Sequence, residues 1–336
     1  PMNAASECKE IIDLADHWKS PVFADPTSQI KYSSSSTYLI DSYDLLLKYM
    51  DIKPNLIVRF GKKPTSKSLG FLLKKFKKRT VTVGQYKQYN DDSKKYIQSI
   101  TKDFCIAQIS KTDKKKDTDW LKSIEKESAR VKSIVNKNKF SRLIEPFIYT
   151  HSIKMLARGD SMFVGNSMPI RDMDSYTSAC DKKIKILSNR GASGIDGLIA
   201  SAIGMAVSSN KNNLLILGDV SFAHDFGSLV DAIRSNINLT VVVVNNDGGN
   251  IFNQLPIKEF SKKTYKHFWL TPPNLDIRSI CKGLKIQFAK TKTVAGYKKA
   301  LSKSLKTKGF GIIEVLCDVK SDNKFREKII KDITSS

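Results

Sequence analysis

Two uninterrupted apolar stretches, 214–217 and 239–244, constrain the fold of this chain more than any other feature of its sequence. Strands that are apolar at every position are buried on both faces, which is typical of parallel sheets. The helical pattern at 222–235 between them is long enough for a crossover, so the three elements predict a right-handed βαβ unit. An apolar helix is predicted just before them, at 198–207. This half of the chain is therefore predicted to form an open α/β layer.

The first part of the chain, residues 1–112, also alternates strand-length apolar stretches with helical patterns. Strands are predicted at 21–24 and 55–60, and a helix is predicted to begin at Ser68. This alternation again indicates an open α/β layer. The first part is therefore predicted to be a domain with a parallel sheet of its own.

A stretch rich in lysine, aspartate and serine, 113–139, follows the first domain and has few apolar residues. It predicts a solvated connector that is helical over 120–135. An amphipathic helix predicted at 144–156 then opens the second domain, 140–336. The predicted fold class is α/β, with two open parallel-sheet domains that carry helices on both faces.

The chain carries a formal net charge of +24, a sign that suits nucleic acid or a membrane surface. Its lysines are spread over almost every segment, however, and no nucleic-acid-binding motif accompanies them. General enrichment of surface lysine is therefore favoured over nucleic-acid binding. No apolar run reaches the roughly 20 residues that span a bilayer, so membrane insertion is not predicted.

The five cysteines are scattered along the chain and have no C-x-x-C spacing. This pattern argues against a disulfide framework and against a zinc site. It fits a protein of the reducing cytoplasm.

Two polar residues, Asp219 and Asn246, lie just past the ends of the two apolar strands. Carboxyl ends of parallel strands meet at one edge of a sheet, where open α/β sheets bind ligands. Mg2+ takes oxygen ligands and shares them with a diphosphate, so Asp219, the Asn246 amide oxygen and the Gly248 carbonyl could form a protein ligand set. Gly248 and Gly249 would let the backbone approach the ligand closely. Taken alone, an aspartate at one strand end and an Asn-Asn-x-Gly-Gly pattern at another more often form ordinary turns than a metal site.

Residues 61–68, with the sequence GKKPTSKS, resemble the phosphate-binding loop of nucleotide-hydrolysing proteins. They follow a predicted strand and precede a predicted helix. Ser66 replaces the second glycine of that loop, and Pro64 removes a backbone donor. Nucleotide binding is therefore not predicted here.

Three motifs occur in an order that resembles one enzyme family: GNSMPIR at 165–171, SNRGASGIDG at 188–197 and NDGGNIFNQLP at 246–256. They are similar to runs found in the 2-succinyl-5-enolpyruvyl-6-hydroxy-3-cyclohexene-1-carboxylate (SEPHCHC) synthases, thiamine-diphosphate (ThDP) enzymes of menaquinone biosynthesis. The segments 24–28 and 59–67 match the middle domain of that family more loosely. The resemblance implies that 1–112 is the middle domain and 140–336 the diphosphate-binding domain.

The resemblance also implies roles for individual residues. Mg2+, or alternatively Mn2+, would be held by Asp219, Asn246 and the carbonyl of Gly248, and Ile195 would keep the cofactor bent. Further cofactor contacts are implied for Asn166, Ser167, Ser193, Gly194, Gly218, Ser221, Ile251, Phe252 and Leu255. The residues implied in catalysis and in binding substrate carboxylates are Arg171, Arg190, Ser167 and Lys67.

Several of these residues have a plainer interpretation. Arg171 and Arg190 could be surface residues, although they are two of few arginines and stand in glycine-rich motifs. The three apolar residues of the last motif could belong to the core. Lys67, at the start of a predicted helix, could be an ordinary solvated side chain.

The activity implied by the resemblance is decarboxylation of 2-oxoglutarate and conjugate addition of the succinyl-semialdehyde unit to isochorismate. Both substrates are dicarboxylates, which arginine forks match bidentately. Another ThDP-dependent 2-oxo acid decarboxylase or lyase, and a non-catalytic basic scaffold, are the alternatives.

The family's activating glutamate comes from an N-terminal pyrimidine-binding domain, across the interface of a homodimer or homotetramer. No segment of the chain resembles that domain, so the chain alone is expected to bind Mg2+–ThDP weakly or not at all and to be inactive. It would then be a fragment, a separate subunit or a non-catalytic remnant.

Overall fold

The computed structural model of the chain describes residues 6–87, 93–138, 143–259 and 261–335. These residues divide into two compact units. The first unit consists of the residues up to Asn138, together with Asp174–Lys183 and residues 328–335. The second consists of residues 143–173 and 184–327. The segment interpreted as a connector thus belongs to the first unit, and two later segments return to that unit.

The first unit contains a three-stranded parallel sheet. Its helices and strands are α1 (Ser6–Trp18), α2 (Tyr43–Leu46), β1 (Ile57–Phe60), α3 (Lys67–Lys75), β2 (Thr80–Gly84), β3 (Lys95–Gln98), α4 (Thr101–Lys111) and α5 (Asp119–Lys137). The strand order is β1-β2-β3, with Ile57 opposite Thr80 and Val81 opposite Lys95. The predicted parallel sheet of this part of the chain is confirmed.

The segment predicted at 21–24 is not a strand. It makes a single bridge, in which the N–H of Val22 donates to the carbonyl of Tyr38 and the N–H of Ile40 donates to Val22. Pro21 has no N–H to extend the pairing. A 3-10 turn then begins at Pro26, immediately after Asp25, whose side chain caps it.

Helix α5 runs through the segment that the composition assigned to a solvated connector. Its apolar residues recur at helical spacing, and Leu121, Ile124 and Val131 are fully buried. Thr118 begins the helix by accepting a hydrogen bond from the N–H of Leu121 (3.2 Å). The few apolar residues of this lysine-rich stretch therefore suffice to pack one face of a helix.

The segment that starts at Asp174 is fixed in the first unit by buried polar contacts. The ammonium of Lys31 donates to the backbone carbonyl of Asp174 (2.8 Å), and the hydroxyl of Tyr43 donates to its carboxylate (2.8 Å). All three residues are at most 2% exposed. Buried polar groups of this kind are stable only when paired, which explains why this short segment has a defined place.

The second unit is built around a six-stranded parallel sheet. Its elements are α6 (Glu145–Met155), β4 (Ser161–Val164), α7 (Met168–Tyr176), β5 (Lys185–Leu187), α8 (Leu198–Val207), β6 (Asn213–Gly218), α9 (Asp219–Asp225), α10 (Leu229–Arg234), β7 (Leu239–Asn245), α11 (Lys262–Tyr265), α12 (Ile277–Gly283), β8 (Gln287–Thr291), α13 (Val294–Lys306), β9 (Phe310–Leu316) and α14 (Val319–Thr334). The C-terminal ends of α7 and α14 belong to the first unit. The strand order is β5-β4-β6-β7-β9-β8. The predicted α/β class with parallel sheets is confirmed.

The predicted βαβ unit is present, with one change in its helix. Strands β6 and β7 pair in parallel and are buried along almost their whole length. The helix predicted at 222–235 is divided into α9, a 3-10 turn at Phe226–Ser228, and α10. The break follows Asp225, whose carboxylate accepts hydrogen bonds from the N–H groups of Ile199 and Ala200 at the start of α8. Asp225 thereby caps α8, which begins after a glycine that has no capping side chain.

Within the four described stretches, none of the helices combines the length and the apolar character of a membrane span.

Candidate functional site

Four polar loops follow the carboxyl ends of four adjacent strands of the second unit. In the order of the sheet they are 188–194 after β5, 165–167 after β4, Asp219 after β6, and 246–249 after β7. In the sheet, β4 is followed along the chain by its neighbour β5 in one direction, whereas β6 is followed by its neighbour β7 in the opposite direction. Such a reversal of strand order opens a crevice at which α/β sheets bind ligands. The three motifs therefore converge on one edge of one sheet.

Asp219 connects the ends of β6 and β7. Its Oδ2 accepts a hydrogen bond from the N–H of Gly248 (2.8 Å), and its Oδ1 accepts one from the N–H of Val220 (2.8 Å). The side chain is only 3% exposed, and burial raises the pKa of this carboxyl to about 6. Among the described residues its hydrogen-bond donors are backbone N–H groups, and a buried carboxylate is costly unless a cation or further donors compensate it. Asp219 therefore has the surroundings of a cation ligand.

The turn at Gly248 and Gly249 is clamped by a neighbouring stretch of backbone. Gly248 has φ of +122°, and a Cβ there would lie 2.2 Å from the carbonyl oxygen of Leu270. The N–H of Gly249 donates to the same oxygen (2.6 Å). A Cβ on Gly249 would lie 2.7 Å from the carbonyl of Trp269. Both glycines are therefore required by the close approach of Trp269 and Leu270, which the sequence pattern did not identify.

Of the two polar atoms of the Asn246 side chain, only the nitrogen has a hydrogen-bond partner among the described residues. Its Nδ2 donates to Oε1 of Glu145, whereas its Oδ1 is buried and has no hydrogen-bond partner among the described residues. An unpaired buried acceptor costs about 1–3 kcal/mol, so it is rarely kept without a ligand or water. The carbonyl of Gly248 accepts two hydrogen bonds from Asn250, one from its backbone N–H (2.8 Å) and a long one from its Nδ2 (3.4 Å). The donor set thus fits a hard cation.

Asn166 holds the loop after β5. Its Nδ2 donates to the carbonyls of Asn189 (3.1 Å) and Gly194 (2.7 Å), and its Oδ1 accepts from Nη1 of Arg190 (2.9 Å). The residue is 2% exposed. The Asn166 amide thus anchors the loop 188–194 through three hydrogen bonds.

Ser167 and Arg171 interact at the start of α7. Ser167 has φ of +72°, in the left-handed region, and its carbonyl accepts a hydrogen bond from the guanidinium of Arg171. Gly165, just before them, lies against β6, where a Cβ would be 3.2 Å from the carbonyl of Ile216. The strained turn places the side chains of this motif at the end of β4.

Residues 174–315 match the family described as the C-terminal TPP-binding domain of thiamine pyrophosphate enzymes. Curated relatives from Listeria innocua, Bacillus cytotoxicus and Oceanobacillus iheyensis are 36%, 32% and 30% identical to the chain. The matches cover 91%, 93% and 99% of the chain and 54%, 55% and 60% of the respective relatives. Each relative is named 2-succinyl-5-enolpyruvyl-6-hydroxy-3-cyclohexene-1-carboxylate synthase.

The chain belongs to the SEPHCHC synthase family of ThDP enzymes. It spans about half the length of the curated relatives it matches. The family resemblance seen in the three motifs is therefore confirmed over nearly the whole chain.

The other residues that the SEPHCHC synthase resemblance singled out in the motif loops occupy varied environments. Ser193 is exposed, and Gly194 and Ile195 are half-buried in the loop after β5. Gly218 directly precedes α9, and Ser221 is buried within that helix. These residues lie on the loops and helix start at the carboxyl edge of the sheet.

The apolar residues of the last SEPHCHC synthase motif do not form a buried core. Ile251 and Phe252 are half-buried, and Leu255 is 45% exposed. Lys67 lies in the first unit at the start of α3, with its Nζ 5.7 Å from the centre of the Phe71 ring. Their proposed contacts with cofactor and substrate remain predictions.

A buried acidic cluster beside the site was not found from the sequence. Arg326 donates to both carboxylate oxygens of Asp172, and its Nη2 lies 3.4 Å from Oε2 of Glu145. Asp322 accepts a hydrogen bond from the N–H of Glu145 (2.8 Å). Burial raises the pKa of Glu145 to about 7 and that of Asp322 to about 8. These residues come from three separate segments of the chain and carry no motif, so no local signal marks them.

The raised pKa of Asp322 gives an expected pH dependence of stability. An aspartate in the unfolded chain has a pKa of about 3.9, so the folded state binds more protons between that value and about 8. The unfolding free energy should therefore fall as the pH rises from 5 to 8, with Asp322 contributing on the order of 1–3 kcal/mol. Asp322→Asn should show a smaller fall, measured by urea denaturation at both pH values. Asp231→Asn, at an exposed position of α10, controls for net charge; an equal fall in Asp322→Asn and the unmodified chain would contradict this assignment.

Proposed function

We propose that the second unit binds the diphosphate of ThDP through a divalent cation, Mg2+ or alternatively Mn2+. The carboxylate of Asp219, Oδ1 of Asn246 and the carbonyl of Gly248 would be its protein ligands, an all-oxygen set of the kind that Mg2+ prefers. The observation that carries the proposal is the buried, unpaired Oδ1 of Asn246. It belongs to a residue two positions from Gly248, whose N–H is bonded to Asp219.

We further propose that Arg190, Arg171 and Lys67 bind the carboxylates of the substrates. The Arg190 guanidinium has five N–H donors, and its contact with Asn166 uses one of them. That contact would orient the remaining donors toward a carboxylate, which a guanidinium binds in a bidentate manner. Asn166 would thus act on substrate binding through Arg190.

The proposed reaction is that of the SEPHCHC synthases, with 2-oxoglutarate and isochorismate as substrates. When bound, ThDP supplies the carbanion chemistry that decarboxylates a 2-oxo acid and joins the remaining unit to an acceptor. The residues of this chain would anchor the diphosphate, contact the cofactor through Ile195 and the motif loops, and orient the substrate carboxylates. The support is the combination of the family match with the convergence of the motifs at one sheet edge.

We propose that a pyrimidine-binding domain completes the site, either in the same polypeptide or as a partner, in a homodimer or homotetramer. The relatives are almost twice as long as the region they share with this chain, so they contain room for such a domain. The five cysteines, none of which is joined in a disulfide, suit a protein that works in the reducing cytoplasm.

The test joins the 336-residue chain to the N-terminal pyrimidine-binding part of the Listeria innocua relative. Release of CO2 from 2-oxoglutarate and formation of SEPHCHC are measured for this chimera and for the chain alone. We expect activity only in the chimera, and only with both ThDP and Mg2+. Turnover by the chain alone would contradict the need for a second domain. ThDP binding by the chimera that is independent of Mg2+ would contradict the proposed cation site, and preference for another 2-oxo acid would favour a related lyase.

A further inference from the structure

The orientation of the Asn246 amide is set by a single neighbour. Its Nδ2 donates to Oε1 of Glu145, and its Oδ1 has no partner among the described residues. The two ends of an amide are nearly equal in shape, so hydrogen bonding decides which atom faces which side. The carboxylate oxygen that faces Asn246 accepts a hydrogen bond, and it therefore selects the orientation that leaves Oδ1 available.

We propose that Glu145 is a positioning residue that presents Oδ1 of Asn246 to the divalent cation. This inference rests on the proposed cation site and adds to it a residue outside the three motifs, 101 positions from Asn246 in the sequence. If the amide turned over, Nδ2 would take the place of Oδ1, and a hard cation requires oxygen there. Partners that orient metal ligands in this way typically change metal affinity by about 10–100-fold.

Glu145 is itself held firmly enough to act as a fixed reference. It is 4% exposed, and its backbone N–H donates to Asp322 (2.8 Å). Its second carboxylate oxygen lies 3.4 Å from Nη2 of Arg326, which is in turn paired with Asp172. A side chain restrained at its backbone and at both oxygens cannot turn away from Asn246 without breaking buried contacts.

The neighbouring residue, Asn245, shows the same pairing without an unpaired oxygen. Its Nδ2 donates to Oε1 of Glu314 (2.8 Å), and its Oδ1 accepts from the N–H of Asp247 (3.2 Å). Glu314 is also buried. The chain thus contains two glutamate–asparagine pairs at the end of β7, and in only the Asn246 pair is the amide oxygen left unpaired among the described residues.

The experiment measures Mn2+ binding to the chimera in the presence of ThDP, from the electron paramagnetic resonance signal of free Mn2+. Glu145→Gln keeps the shape of the side chain but adds a donor, so the Asn246 amide can turn over. We expect its Mn2+ affinity to fall by about 10–100-fold, with a melting temperature close to that of the unmodified chimera. Glu314→Gln makes the same change at the neighbouring pair and should leave Mn2+ affinity unchanged. Asp322→Asn removes a carboxyl from the same cluster but keeps an oxygen that can accept from the backbone N–H of Glu145. This variant should also leave Mn2+ affinity unchanged.

A double variant separates orientation from folding. In Glu145→Gln with Asn246→Asp, the amide and the carboxylate exchange places, so one oxygen of residue 246 can accept from the glutamine while the other faces the cation. We expect this variant to recover Mn2+ binding. Unchanged affinity in Glu145→Gln, or an equal loss in Asp322→Asn, would overturn the positioning role while leaving the cation site intact. Absence of Mn2+ binding in the unmodified chimera would overturn the cation site, and the role of Glu145 with it.

Discussion

Gly248→Ala is expected to lower the free energy of unfolding by roughly 3 kcal/mol and to abolish cation binding in the chimera. Two effects add at this position. The backbone has φ of +122°, a conformation that side-chain-bearing residues rarely adopt, and the new Cβ would lie 2.2 Å from the carbonyl oxygen of Leu270. The loop must shift to relieve that overlap, and the shift would move the Gly248 carbonyl and the N–H that Asp219 holds.

Gly309→Ala is the matched control for this substitution. Gly309 has φ of +124°, but a Cβ there meets no atom within 4 Å. Its replacement should therefore cost only the backbone strain, about 1–2 kcal/mol, and leave Mn2+ affinity unchanged. Urea denaturation followed by tryptophan fluorescence measures both losses. Equal destabilisation by the two variants would show that the Leu270 carbonyl does not restrict residue 248.

Asp219→Asn should reduce the affinity of the chimera for Mn2+–ThDP by at least about 100-fold while changing the unfolding free energy by only about 1 kcal/mol. The substitution removes the negative charge that the cation would neutralise. Asp219 accepts hydrogen bonds from two backbone N–H groups, and in the variant one of these groups would face an amide NH2 instead of an oxygen. That loss is offset by removal of a buried carboxylate whose pKa burial raises to about 6.

Asp247→Asn provides the control, because it removes a charge from the same loop at an exposed residue. Asparagine is readily accommodated at its φ of +62°. The affinity for Mn2+–ThDP should change little in this variant, measured by the same titration of free Mn2+. Retention of full affinity by Asp219→Asn would exclude its carboxylate as a cation ligand.

The parts of the fold that the sequence predicted best are those with a strong local pattern. Strands β6 and β7 and helix α8 were predicted to within one residue at each end, because apolar stretches of this kind pack in only a few ways. The single helix expected at 222–235 is divided because Asp225 caps α8, a contact between elements. The strand expected at 21–24 is reduced to one bridge because Pro21 cannot donate to a ladder.

The candidate site was predictable where topology alone brings residues together. Residues at the ends of adjacent parallel strands must be neighbours, and the contact between Asp219 and Gly248 is of this kind. The roles of the hydrogen-bond partners were not predictable in the same way. The amide of Asn166 holds Arg190 and the loop after β5, contacts that no motif indicates, and its expected contact with the cofactor stays a prediction.

From the amino-acid sequence alone follow the α/β class, the meeting of Asp219 and Asn246 at one sheet edge and the family to which the chain belongs. These depend on periodicity and on short contiguous motifs, which are properties of neighbouring residues. Only the tertiary structure decided that Glu145 orients Asn246 and that the carbonyl of Leu270 restricts Gly248. Hydrogen bonds and close backbone approaches depend on the positions of distant segments in space, and no local pattern records them.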